Sequence, residues 1–185
     1  MEKTILVAID GSVYSANSLD YLARLFAADS SLHLHLLAVA PSGGAGKEWM
    51  FDVDPHRSPT AGSDQRTQQA HRHLREAGER LQRAGVSAER IQARVRVATG
   101  GIGATIRDEA ERGNYDAVLI GRRGLGAVGN MFFGSTSSDL IEKCRRSPLW
   151  IVDGNVNASR FLLAVQSHPA SLTAADHLAF MLKGH

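Results

Sequence analysis

Short apolar runs alternate with longer amphipathic stretches along the whole chain. Thr4 to Ile9 is continuously apolar, the pattern of a strand buried on both faces. Asp10-Gly11-Ser12 turns the chain. From about Ser15 to Ala28, Leu19, Leu22, Ala23, Phe26 and Ala27 recur at helical spacing and predict a core-facing helix. Leu32 to Ala40 predicts a second strand. Pro41 to Gln65, rich in Gly, Ser, Pro and Asp, predicts an irregular excursion. Its apolar triplet Trp49-Met50-Phe51 is placed to fold over a ligand or a partner. A second helix runs on to about Ala84, with Leu74, Ala77, Gly78 and Leu81 inward and a solvated face of Arg and Gln. Ile91, Ala93, Val95 and Val97 alternate with Gln92, Arg94 and Arg96, which fits an edge strand. Ile102, Ile106 and Ala110 mark a third helix behind Gly100-Gly101. Ala117 to Ile120 reads as a buried strand. A fourth helix carries Leu140, Ile141 and Cys144, and Leu149 to Val152 closes the series after Pro148.

Strand and helix alternating in this way mean an α/β fold: an open five-stranded parallel sheet with helices on both faces. Right-handed crossovers and the edge character of the third strand favour the order 3-2-1-4-5. Strands 1 and 4 are then neighbours across the topological switch point, where ligands of such sheets bind. Asp10 and Gly121 end those two strands and face each other there.

Chemistry concentrates after the fourth strand. Gly121, Gly124, Gly126, Gly129 and Gly134 fall in one loop, which ends in Ser135, Thr136, Ser137 and Ser138. Glycines admit positive φ and close approach of backbone to a ligand. A helix N-terminus presents unpaired N–H groups and partial positive charge. Ser135 or Thr136 is placed to cap that helix, and Arg122 and Arg123 add full charges. A phosphate is the guest such a loop suits. Two other phosphate motifs fit less well. Gly46-Lys47 is followed by Glu48 rather than Ser or Thr, so Walker A fails. Gly124, Gly126 and Gly129 meet the dinucleotide fingerprint literally, but residues 130–134 separate them from the helix and the unit sits late in the chain.

The spacing Gly121-x2-Gly124-x9-Gly134-Ser135 resembles the nucleotide-binding signature of the universal stress protein family. TILVAIDGS at Thr4 to Ser12 and SPLWIV at Ser147 to Val152 are similar to that family's opening and closing strands. The resemblance covers Lys3 to Val152. It implies a Rossmann-like fold of the adenine nucleotide alpha hydrolase-like type. It also implies binding of ATP or another adenine nucleotide, with Mg or Mn sharing the phosphate charge. The site residues it implies are Ala8, Ile9, Asp10 and Val39 for the nucleoside. Ile120, Gly121, Arg123, Gly124, Gly134, Ser135, Thr136 and Ser137 would take the rest of the nucleotide. A role in stress response or signalling follows from the same resemblance, as does a homodimer paired through strand 5 (149–152).

Two other functions compete with a binding protein. One is a slow ATP hydrolase or phosphotransferase, against which no base is placed beside the phosphates. The other is a nucleotide-free dimeric adaptor with a purely structural loop. No catalytic residue is assigned. His33 and His35 share a strand face but find no third metal ligand, and His71 and His73 diverge on their helix. The formal net charge of +2 gives no case for nucleic acid or a membrane surface, and no run is long enough to span a bilayer. The single cysteine, Cys144, suits a reducing cytoplasm.

The chain divides into a nucleotide-binding unit, residues 1–154, and an extension, residues 155–185. Leu162-Leu163-Ala164-Val165 aligns with Leu6-Val7-Ala8-Ile9, and Ser171, Asp176, Leu178 and Ala179 align with Ser15, Asp20, Leu22 and Ala23. The extension thus reads as the strand and helix that begin a second, degenerate repeat. Leu172, Ala175, Leu178, Ala179 and Leu182 would be its apolar face. Gln166, Ser167 and His168 replace Asp10, Gly11 and Ser12, so this copy would bind no nucleotide.

Overall fold

The structure, a computed structural model, describes residues 2–42, 59–122, 134–157, 160–166 and 168–183. Five parallel strands, β1 (Lys3–Ala8), β2 (Leu32–Ala40), β3 (Ile91–Val97), β4 (Ala117–Gly121) and β5 (Leu149–Val152), form one sheet in the order β3-β2-β1-β4-β5. The register sets Val7 of β1 opposite both Leu36 of β2 and Leu119 of β4. The expected order is the observed one, because every crossover returns to the same sheet through a helix.

Alternation along the strands divides the core into two layers. Ile5, Val7 and Ile9 face one side with Leu34, Leu36 and Leu119, beneath α1 (Val13–Phe26) and α2 (Pro59–Arg83). Leu6, Leu37, Val118 and Ile120 face the other, beneath α3 (Ile102–Gly113) and α4 (Ser135–Lys143). The helix expected after Gln65 begins earlier, at Pro59. Proline suits a first helical turn, where its missing N–H has no intrahelical partner to lose. In α4 Leu140 is fully buried but Ile141 is exposed, so the apolar face of that helix is narrower than expected. Cys144 is the residue that ends it. Trp49, Met50 and Phe51 lie outside the described residues.

Beyond β5 the chain forms no strand at 162–165, contrary to the repeat pattern. Leu162 is 98% exposed and Val165 64%. A lone strand is stable only on a sheet edge, and this stretch has joined none. The helix expected after it is present as α5 (Pro169–Met181). Its buried face is shifted: Leu172 is exposed, while Met181 is wholly buried and Phe180 and Leu182 pack on the α1/α2 layer of the core.

Candidate functional site

The site is built at the carboxyl ends of β1 and β4. Ile9 continues β1, and its N–H donates to Leu37 O at 2.8 Å. Asp10 follows, and its Oδ1 accepts the Ser12 N–H at 3.0 Å. This Asx turn is completed by Gly11 at φ +78, a conformation that favours glycine. Ser12 then caps α1, its Oγ accepting from Ser15 N at 3.2 Å. Ala8 and Val39 flank the turn on the α3/α4 side of the sheet.

Across the switch point, Ile120 is buried and Gly121 lies under the first turn of α1. A Cβ on Gly121 would come within 2.9 Å of the Tyr14 backbone carbonyl carbon. Close approach of β4 to α1 therefore requires this glycine. The ends of the loop it opens meet again. Gly134 N donates to Arg122 O at 3.2 Å, and Ser137 Oγ donates to Gly121 O and Arg122 O at 3.1 and 3.0 Å. Arg123 and Gly124 lie outside the described residues.

Helix α4 begins at this closure. Gly134 is its N-cap, and no side chain caps it, so neither Ser135 nor Thr136 does so. Gly134 has φ −69 and ψ 160, so positive φ is not what calls for glycine there. The buried Ser137 hydroxyl is turned to the β4 backbone, while Ser135, the first residue of α4, is exposed. Helix α3 also starts without a side-chain cap, at Gly101. Uncapped N–H groups with partial positive charge are therefore gathered at this end of the sheet. Arg122 brings less charge than expected: its Nε lies 2.9 Å from Asp153 Oδ1, an ion pair without the angle of a hydrogen bond.

Two neighbours of the site carry no sequence signal of their own. Tyr14 reads as an ordinary first-turn residue, yet its backbone meets Gly121. His73 reads as part of the solvated face of α2. Its ring instead lies against Gly11: a Cβ there would be 2.5 Å from His73 Cε1 and Nε2. His33 and His35 are on the α3/α4 side, where His35 Nδ1 hydrogen-bonds the Tyr115 hydroxyl at 3.0 Å. Among the described residues no group of three or more His, Cys, Asp or Glu could hold a metal ion. Among them, too, no helix is long and apolar enough to cross a membrane.

A parallel sheet in this order, with the Asp10 turn and the bare N-terminus of α4 at its switch point, defines an α/β protein of the Rossmann-like class. The model of the universal stress protein family matches residues 1–153, and the chain belongs to that family. Solved structures agree in fold. A universal stress family protein from Burkholderia pseudomallei is 23% identical, with 81% of this chain and 95% of that one covered and a TM-score of 0.58. The universal stress protein of Archaeoglobus fulgidus in complex with dAMP is 19% identical over 82% and 97% of the two chains, with a TM-score of 0.56. An Arabidopsis thaliana family member with AMP bound is 17% identical over 84% and 94%, with a TM-score of 0.55. No curated protein matches the chain by sequence.

Proposed function

We propose that this chain binds an adenine nucleotide, ATP among them, at the β1/β4 switch point and acts as a nucleotide-dependent stress-response or signalling protein. The observation that carries the reading is the uncapped start of α4 at the carboxyl end of β4, beside the Asp10 turn. Phosphate is the usual guest of such a helix end. The dAMP and AMP complexes of the two relatives support the base. Ala8, Ile9, Asp10 and Val39 would hold the nucleoside. Gly121, Gly134 and the Ser135 and Thr136 hydroxyls would line the phosphate path, with Arg123 and Gly124 supplied by the loop.

A divalent cation, Mg or Mn, would ride on the phosphates and these hydroxyls, since the described residues offer it no carboxylate cluster. It would lower the charge repulsion between phosphate oxygens. The chain's own part is to bind and orient the nucleotide. We further propose a homodimer through β5, the apolar edge of the sheet. Calorimetry with adenosine, AMP, ADP, ATP and GTP tests the binding reading. Saturable binding of the adenine series is expected, and no heat from any of them overturns it. Light scattering at micromolar concentration tests the dimer, and a monomer there overturns it.

A further inference from the structure

Two apolar edges of this chain lack a strand partner among the described residues. One is the outer edge of β5, the last strand of the sheet. An apolar edge with unpaired backbone is a template for another strand. The other is the segment 161–165, Phe-Leu-Leu-Ala-Val, which has the residues of a strand and has joined no sheet. Leu162 is 98% exposed and Val165 64%, and apolar residues set in a row against water mark a contact surface. The segment lies beyond the part of the chain that the family model matches. It also lies off its own β5 edge. Arg24 of α1 donates to Val156 O and Asn157 Oδ1, and Val156 packs on the α1/α2 layer of the core. Phe180 and Met181 of α5 pack on the same layer. The segment is thus strung between two anchors on that face of the sheet.

We propose that 161–165 of each protomer adds to the β5 edge of a second copy as an antiparallel strand. The inference rests on the dimer through β5 proposed above and names what pairs there. Charge selects the direction. Arg160 is exposed just before the segment, and Asp153 is half-exposed just after β5. Antiparallel pairing sets Arg160 opposite the partner's Asp153, and Phe161 to Ala164 opposite the partner's Val152 to Leu149. Parallel pairing would instead bring Arg160 towards Arg145 and Arg146, which precede β5, and like charges across a strand pair destabilise it. In a two-fold dimer the contact is made twice, so both exposed segments and both bare edges are covered together.

The test uses the full chain and reads the dimer constant by sedimentation. At its exposure Leu162 supports little within its own protomer, so Leu162→Asp should unfold at the wild-type midpoint. Its dimer Kd should rise tenfold or more, because a carboxylate is then buried twice in the interface. Leu162→Ser takes its place should the charge unfold the chain. Arg160→Glu, which sets two acids together, should raise Kd by roughly threefold or more at low salt. Cross-linking reads the pairing itself, since opposite residues of an antiparallel pair lie within disulfide reach. In a Cys144→Ser background, Asp153→Cys chains and Arg160→Cys chains are mixed, left to exchange subunits and oxidised in air. A heterodimer bonded between the two positions is expected. Wild-type dimer strength in a folded Leu162→Asp, or a dimeric mixture that forms no such bond, overturns the proposal while the dimer reading stands. A wild-type chain that is monomeric at micromolar concentration sinks the dimer reading and this inference with it.

Discussion

Trp150 of β5 donates its indole Nε1–H to His177 Nε2 of α5 at 3.0 Å, and the two rings meet edge to face with centroids 5.9 Å apart. An acceptor Nε2 requires a neutral imidazole with its proton on Nδ1. A second proton would set an N–H against an N–H. The Phe26 ring of α1 also meets the indole at a tilt, its centroid 6.1 Å away. The extension is thereby fastened to the strand at the sheet's edge.

Acid should loosen this fastening. Burial lowers the His177 pKa from its ordinary 6.5, against the opposing pull of Asp116. A histidine with a lowered folded pKa contributes its stability in full above about pH 6.5 and loses it as pH falls below that value. Docking of α5 should weaken in that window. Trp150 fluorescence in a Trp49→Phe background should show a step there, and His177→Phe should abolish it. A step of equal size in His177→Phe would assign the change elsewhere. The first place to look is then His35, whose pKa is lowered by burial, Arg94 and His33 against the pull of Glu109.

Lys3 ties the far end of α5. Its buried ammonium donates to Met181 O and Lys183 O at 3.1 and 3.0 Å and to Asp29 at 3.0 Å. A cation there also suits the negative end of the helix. For Asp29, burial works to raise the pKa, but hydrogen bonds from Ser31 and Lys3 outweigh it and hold the carboxyl well below its usual range. Its stabilisation is present above the ordinary value of 3.8 and lost as pH falls through the acid range. Lys3→Met should cost about 3 kcal/mol in urea unfolding at neutral pH, since it takes a buried cation away from a part-buried carboxylate and two carbonyls. A loss under ~1 kcal/mol would show that the cluster contributes little.

Much of this fold is legible in residue order. Leu32 to Ala40, Ile91 to Val97 and Leu149 to Val152 are strands with the bounds their apolar patterns give. Period-2 and period-3.6 patterns report burial, and burial decides element type. Asp10 and Gly121 come together because strand order follows from crossover handedness. What the pattern cannot carry is contact between elements. Nothing at Gly11 announces the His73 ring, and nothing at Ser137 shows that its hydroxyl serves the β4 backbone. Leu162 to Val165 shows the converse failure: a strand pattern that has joined no sheet edge.

Gly121 should tolerate no side chain. A Cβ there would press on Tyr14 backbone at 2.9 to 3.0 Å. Backbone cannot swing aside as a side-chain tip can, so Gly121→Ala should destabilise by about 1 to 3 kcal/mol, the range of an overpacked core. It should also weaken nucleotide binding by prising β4 from α1. Thermal unfolding together with calorimetry checks both. An alanine variant of wild-type stability would mean the helix shifts freely.

Ser135→Ala should separate phosphate from nucleoside. Ser135 opens α4 beside the uncapped Gly134 N-cap. Loss of one hydroxyl donor should weaken ATP and ADP by about 1 kcal/mol and leave adenosine near its wild-type affinity. Ser137→Ala should behave differently, since that hydroxyl serves the carbonyls of Gly121 and Arg122. Its cost should appear in stability as well as in binding. Equal losses of adenosine and ATP in Ser135→Ala would place Ser135 away from the phosphates.

Removal of residues 155–185 should leave the site working and the fold weaker. Helix α5 is held at the amino ends of the strands, by Lys3 at the start of β1 and Trp150 at the second residue of β5. The proposed nucleotide site lies at the opposite, carboxyl ends. The family match ends at residue 153, and every residue of the proposed site lies before it. Truncation nevertheless uncovers Trp150 and removes Met181, which is wholly buried. Loss of one buried methionine alone is worth roughly 2 to 3 kcal/mol. The truncated chain should therefore unfold at lower urea while binding ATP within about threefold of the full chain, under ~1 kcal/mol. A larger loss of affinity at a temperature where the truncated chain is folded would mean that the extension helps to shape the site, and that a boundary near Gly154 is misplaced.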